Sequence, residues 1–103
     1  MNHIKIRNDR NVPLESIKAL WDQIPQTAGR DLETIDLTWH RSAYIVHAWS
    51  HSQMVGIARV LTDGGYYAWV CEVAAAPGYD FLRAILIKQA ICPFRHRRLT
   101  IRI

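Results

Sequence analysis

The segment from Tyr44 to Ala76 constrains the fold more than any other part of the chain. It holds three runs rich in β-branched and aromatic residues: "YIVHAW" (Tyr44–Trp49), "MVGIARVL" (Met54–Leu61) and "YYAWVCEVAAA" (Tyr66–Ala76). Such side chains suit a pleated, half-buried surface. Only "SHSQ" and "TDGG" separate the runs. Connections this short join antiparallel neighbours, because a parallel pair needs a crossover of about a dozen residues or more. Asp63-Gly64 is a strong hairpin signal, since a tight hairpin turn needs positive φ. The predicted centre is therefore an antiparallel meander, and the remaining segments must cover it.

Those segments alternate in type. "HIKIR" (His3–Arg7) alternates polar and apolar residues and reads as a short strand. "PLESIKALWDQI" places Leu14, Ile17, Leu20, Trp21 and Ile24 on a helical stripe, with Pro13 at its first turn and Pro25 as its stop. In "DLETIDLTWHRSA", Leu32, Ile35, Trp39 and Ala43 share one helical face, and Asp31 is the expected cap. After Pro77-Gly78, "DFLRAILIKQAI" predicts an apolar helix pressed against the sheet. "CPFRHRR" reads as a linker and "LTIRI" (Leu99–Ile103) as a last strand. A strand–helix–strand crossover sets that strand parallel to the third meander strand. The expected fold class is α+β: a mixed, mostly antiparallel sheet with helices on its faces, in a single domain over residues 1–103.

Composition narrows the class further. Half of the 103 residues are hydrophobic and Gly plus Pro are scarce, which excludes a disordered chain. No apolar run is long enough to span a bilayer, and no signal-peptide core is visible. Cys71 and Cys92 are too few for a disulfide scaffold, so a cytoplasmic location is expected. Cys71 is expected to be a small buried residue. The net charge of +4 owes much to "RHRR" (Arg95–Arg98) and Arg102. That run lacks interleaved aromatics, which argues against nucleic acid and for a solvated loop. The histidines show no i, i+4 metal pattern, and His47 and His51 straddle a predicted turn, so no metal is expected. Tyr66, Tyr67 and Trp69 read as core or groove lining.

From Met54 to Tyr79 the chain resembles the GCN5-related N-acetyltransferases (GNAT), small bacterial type. The shared residues are Val55-Gly56, Ala58-Arg59, Leu61-Thr62-Asp63-Gly64, Tyr67, Ala68, Val73, Ala74, Pro77 and Tyr79. The resemblance implies an acyl-CoA N-acyltransferase-like fold and acetyl-CoA as co-substrate, with an amine acceptor that the residues do not specify. It implies that the backbone of Val73, Ala74 and Ala75 meets the pantetheine chain, with Val73 N–H polarising the thioester carbonyl. Glu72 stands where relatives often carry an acid and is the expected base; the bland alternative is a polar residue on a strand's open face.

Two departures from the family pattern matter. The family's Gln/Arg-x-x-Gly-x-Gly/Ala loop presents backbone N–H groups to the CoA pyrophosphate at a helix N-terminus. Here Asp80 takes the Gln/Arg position, and Phe81, Arg83 and Ile85 replace small residues. Arg83 is the candidate compensating phosphate partner. The family's last helix and two strands also have no counterpart before Ile103, so a sheet edge at Leu99–Ile103 is expected to join a homodimer. Two readings stay open: an N-acetyltransferase, or an acetyltransferase-like domain that has lost ordinary CoA binding and serves in binding or assembly.

Overall fold

The meander forms as the residue types require, and its edges are then extended on both sides. The computed structural model describes residues 3–103. The strands are β1 (Ile4–Arg7), β2 (Tyr44–Ser50), β3 (Gln53–Thr62), β4 (Tyr67–Ala75) and β5 (Thr100–Arg102). They make one sheet in the order β1-β2-β3-β4-β5, antiparallel except for the parallel pair β4–β5. The helices are α1 (Leu14–Trp21), α2 (Leu32–Arg41) and α3 (Leu82–Ile91). The mixed α+β architecture matches expectation.

Local chemistry sets the boundaries. The Asp63 carboxylate accepts from the N–H groups of Gly65, Tyr66 and Tyr67, which locks the β3–β4 turn, and Gly64 supplies φ +81. Asp31 caps α2 by accepting from Thr34 N–H at 3.0 Å. α1 ends at Trp21, before Pro25. The chain tightens there, with Gln23 N–H on Leu20 O and Ile24 N–H on Trp21 O. Thr27 Oγ1 also donates to Trp21 O, so the loop folds back under the helix end. "CPF" is a short 3₁₀ turn (Cys92–Phe94), where the sequence suggested only a linker.

The sheet is covered on both faces. α3 buries Leu82, Leu86 and Ala90 against one face. On the other, Trp39 of α2 lies against the His47 ring at 5.8 Å, and Trp21 of α1 lies under Arg59 at 5.9 Å. Gly56 belongs to the α3 face: a Cβ there would stand 2.8 Å from Leu86 Cδ1, a fully buried side chain. One hydrophobic core runs through both layers, including Trp21, Ile35, Ile45, Ile57 and Leu86.

A bulge in β4 decides which residues face which layer. Arg59 pairs with Glu72, but Val60 pairs with Val70, so Cys71 is an extra residue on β4. Before the bulge, Ala68 and Val70 point into the core. Without it, Glu72 would share that face by simple alternation. With it, Glu72 lies beside its partner Arg59 on the α1–α2 face. Cys71 is accordingly only half-buried, not the core residue expected. Burial still raises its thiol pKa, and Sγ lies 3.6 Å from Arg59 O.

His47 is fully buried and satisfied on both ring nitrogens. Nδ1 accepts from Trp49 Nε1–H at 2.7 Å, which leaves Nε2–H to donate to Asp9 O at 2.8 Å. His47 is therefore neutral, and burial lowers its pKa. It does not face His51 across the turn; the His51 ring instead lies 4.9 Å from His3.

Two tests follow from this packing. Gly56→Ala should cost about 1–3 kcal/mol by urea unfolding, because the added methyl must displace the buried Leu86 Cδ1. The His47 proton linkage has a definite sign. The folded pKa lies below the unfolded value of about 6.5, so the unfolded chain takes up the proton first. His47 should therefore contribute full stability above about pH 6.5 and lose it as pH falls through the folded pKa. Urea midpoints from pH 7.5 to 5 should decline, and His47→Gln should flatten the decline; an equal decline in the variant would refute the assignment.

Candidate active site

β4 and β5 pair only from Tyr67 to Trp69, opposite Thr100 to Arg102. Beyond Trp69 the edge of β4 is open. Ala76 N–H donates to Val55 O, toward β3. Strand alternation then turns the N–H and C=O of Val73 and Ala75 the other way, toward that open edge. A cleft of about 510 Å³ lies along it. Its walls are the α1–α2 loop (Ile24, Thr27, Arg30), β4 from Cys71 to Ala75, and Asp80 and Arg83 at the start of α3.

Three charged side chains meet in one wall. Glu72 Oε1 is 2.8 Å from Arg30 Nη1, and Glu72 Oε2 accepts from Arg59 Nε at 3.3 Å. Arg59 also donates to Ser42 Oγ at 3.1 Å. Glu72 and Arg59 side chains are only 11% and 12% exposed, whereas Arg30 is 35% exposed. Arg30 lies over the buried Trp21 ring at 4.4 Å. Its backbone is fixed from α1: Lys18 Nζ donates to Arg30 O at 2.8 Å, and Asp22 accepts from Gly29 N–H at 3.0 Å. Gly29 makes the bend at φ +88.

The entry to α3 is built differently from an anion-binding loop. Leu82 N–H is spent on Tyr79 O at 2.9 Å and Arg83 N–H on Asp80 O at 3.1 Å. The exposed Asp80 carboxylate adds like charge where a phosphate would approach. Phe81 and Ile85 are exposed apolar side chains where a close backbone approach would need small residues. Arg83 reaches back across the cleft, and its Nη1 donates to Val73 O at 3.0 Å. The arrangement fits a chain hydrogen-bonding along β4 and does not fit a pyrophosphate at α3.

The predicted site residues Glu72, Val73, Ala74, Ala75 and Arg83 all line this cleft. The structure adds two arginines. Arg59 lay within the family resemblance, but its pairing with Glu72 depends on the bulge. Arg30 carried no sequence signal; the folded-back loop brings it to Glu72. Tyr66, Tyr67 and Trp69 are neither core nor cleft lining. They are 76%, 50% and 50% exposed, whereas Ala68 and Val70, which alternate with Tyr67 and Trp69 onto the other face, are buried. The basic run Arg95–Arg98 is exposed and outside the cleft. Among the described residues no group of His, Cys, Asp or Glu is placed to hold a metal, and no helix is long and apolar enough to cross a membrane.

No protein-family model matches the chain, and a search of curated proteins gives no match. Solved structures do match. A GNAT-family acetyltransferase from Streptococcus pneumoniae superposes with a TM-score of 0.78 at 23% identity, covering 96% of this chain and 73% of that one. The chain has the GNAT fold. An acetyltransferase from Streptococcus agalactiae gives 0.79 at 16% identity, covering 98% and 72%. One from Trypanosoma brucei gives 0.71 at 18%, covering 97% and 80%.

The GNAT-fold cleft depends on its ion-paired wall. Glu72→Ala should leave Arg30 and Arg59 facing each other without a counter-charge. The expected cost is about 1–3 kcal/mol by chemical denaturation. Glu15→Ala, at an exposed helix position, should change stability by less than about 0.5 kcal/mol.

Proposed function

We propose that the chain is an acetyl-CoA-dependent N-acetyltransferase that grips its donor mainly along β4, with the phosphates contributing little. The observation that carries this reading is the open edge at Val73 and Ala75, beside a cleft lined by a largely buried carboxylate. Bound acetyl-CoA would supply the thioester. Val73 N–H would donate to its carbonyl oxygen. Glu72 would take the proton that an ammonium acceptor must lose. Arg83 must first leave Val73 O, and once released its guanidinium is free to meet a phosphate.

A second reading has its own support. The spent N–H groups, Asp80 and the apolar residues at the start of α3 favour a domain that no longer holds CoA and serves in binding or assembly. The two readings separate in one titration. If the first holds, acetyl-CoA and acetyl-pantetheine should bind with Kd values within about tenfold, a gap under roughly 1.4 kcal/mol. Arg83→Ala should weaken acetyl-CoA more than acetyl-pantetheine. Absence of binding for both at millimolar concentration by calorimetry would leave the non-catalytic reading. A second copy pairing along β5 is part of that reading, and light scattering at high concentration tests it.

A further inference from the structure

We propose that the Arg30–Glu72 pair recognises a zwitterion, and that the acceptor is a free amino acid whose ammonium and carboxylate lie close together. This rests on the reading of the cleft as an acetyl-transfer site. The argument begins with Arg30. Its Nη1 is engaged by Glu72 Oε1 at 2.8 Å, whereas Nε and Nη2 make no hydrogen bond among the described residues. Part of its planar donor fork is therefore unspent. Arg30 is also held in place, by Lys18 and Gly29 through the backbone and by Trp21 under the guanidinium. A fixed, partly exposed guanidinium in a cleft wall is suited to bidentate carboxylate recognition.

Glu72 supplies the other half. Oε2 is tied to Arg59, whose second bond to Ser42 fixes its own position. Oε1 faces Arg30 alone. A ligand carboxylate that turns Arg30 toward itself would expose Oε1 to the ligand's own ammonium. Each charge of the protein pair then meets the opposite charge of the ligand, and neither Arg30 nor Glu72 is left unpaired. An amine lacking the carboxylate would leave Arg30 beside Glu72 and compete with it for Oε1. Arg30 is thus the specificity-determining residue, and it presents the ammonium to the base. Beneath it, the buried Trp21 indole N–H has no hydrogen-bond partner among the described residues, which provides a local probe.

The test uses the whole chain without acetyl-CoA. Glycine, L-alanine and β-alanine are titrated against their carboxamides, with the ¹⁵N indole resonance of Trp21 as readout, assigned through Trp21→Phe. The acids should shift that resonance and bind at least about tenfold more tightly than the amides, the scale of a lost charge-assisted bond. Arg30→Gln should abolish the difference, and Arg30→Lys should restore part of it. Equal binding of acids and amides, no binding of any acid, or a preference that survives Arg30→Gln would each overturn the proposal. Turnover with acetyl-CoA is then measured separately. Acid-selective binding without turnover would defeat the transferase reading while leaving the zwitterion site. Turnover of carboxylate-free amines unaffected by Arg30→Gln would do the reverse.

Discussion

The extra residue at Cys71 governs where the charged side chains of this protein meet. A strand has a side-chain period of two, so one inserted residue moves everything after it to the opposite face. Val70 is the last core residue of β4 before the bulge. One residue later, Glu72 stands on the α1–α2 face beside Arg59. Without the shift, the carboxylate would be pressed toward α3, where Leu82, Leu86 and Ala90 form an apolar contact with no counter-charge. A buried carboxylate there would be costly. The bulge therefore both avoids that cost and delivers an acid to a cleft.

The pairing of Glu72 with two arginines has consequences for what the acid can do. Two opposite charges make its burial tolerable, but they also occupy the oxygens that a base needs. The two arginines are not equivalent. Arg59 is mostly buried, hydrogen-bonded to Glu72 and to Ser42, and belongs to the sheet. Arg30 comes from a loop, is more exposed and is engaged by Glu72 through Nη1 alone. The fixed arginine holds the carboxylate, and the loop arginine leaves room for exchange with a ligand. Arg83 repeats this pattern on the main chain: it covers Val73 O, a group that a donor lying along β4 would use.

Much of the fold was legible because it rests on local signals. Strand runs joined by "SHSQ" and "TDGG" could only form a meander, and Asp31 announced the start of α2. The Met54–Tyr79 resemblance pointed to Glu72 and to the Val73–Ala75 backbone, and those residues do line one cleft. Legibility failed where a long-range contact decides. Tyr67 and Trp69 have the residue types of a core strand, yet they are half exposed on one face while Ala68 and Val70 are buried on the other. Cys71 sits in an apolar run, yet the bulge turns it toward the cleft. Arg30 looked like any loop arginine until the turn after Trp21 brought it back over the indole.

The sequence by itself determined the order and type of the elements, the α+β class, and the loss of small residues at the start of α3. Periodicity, turn chemistry and glycine content are properties of neighbouring residues, so they can be read along the chain. Tertiary structure alone decided the Arg30–Glu72–Arg59 pairing, the orientation of the Val73 and Ala75 backbone toward an open edge, and the use of the α3 N–H groups within their own turn. Each depends on register between strands or on a loop closing onto a helix. Those are relations between distant residues, and they are fixed only when the packed core selects one register over its neighbours.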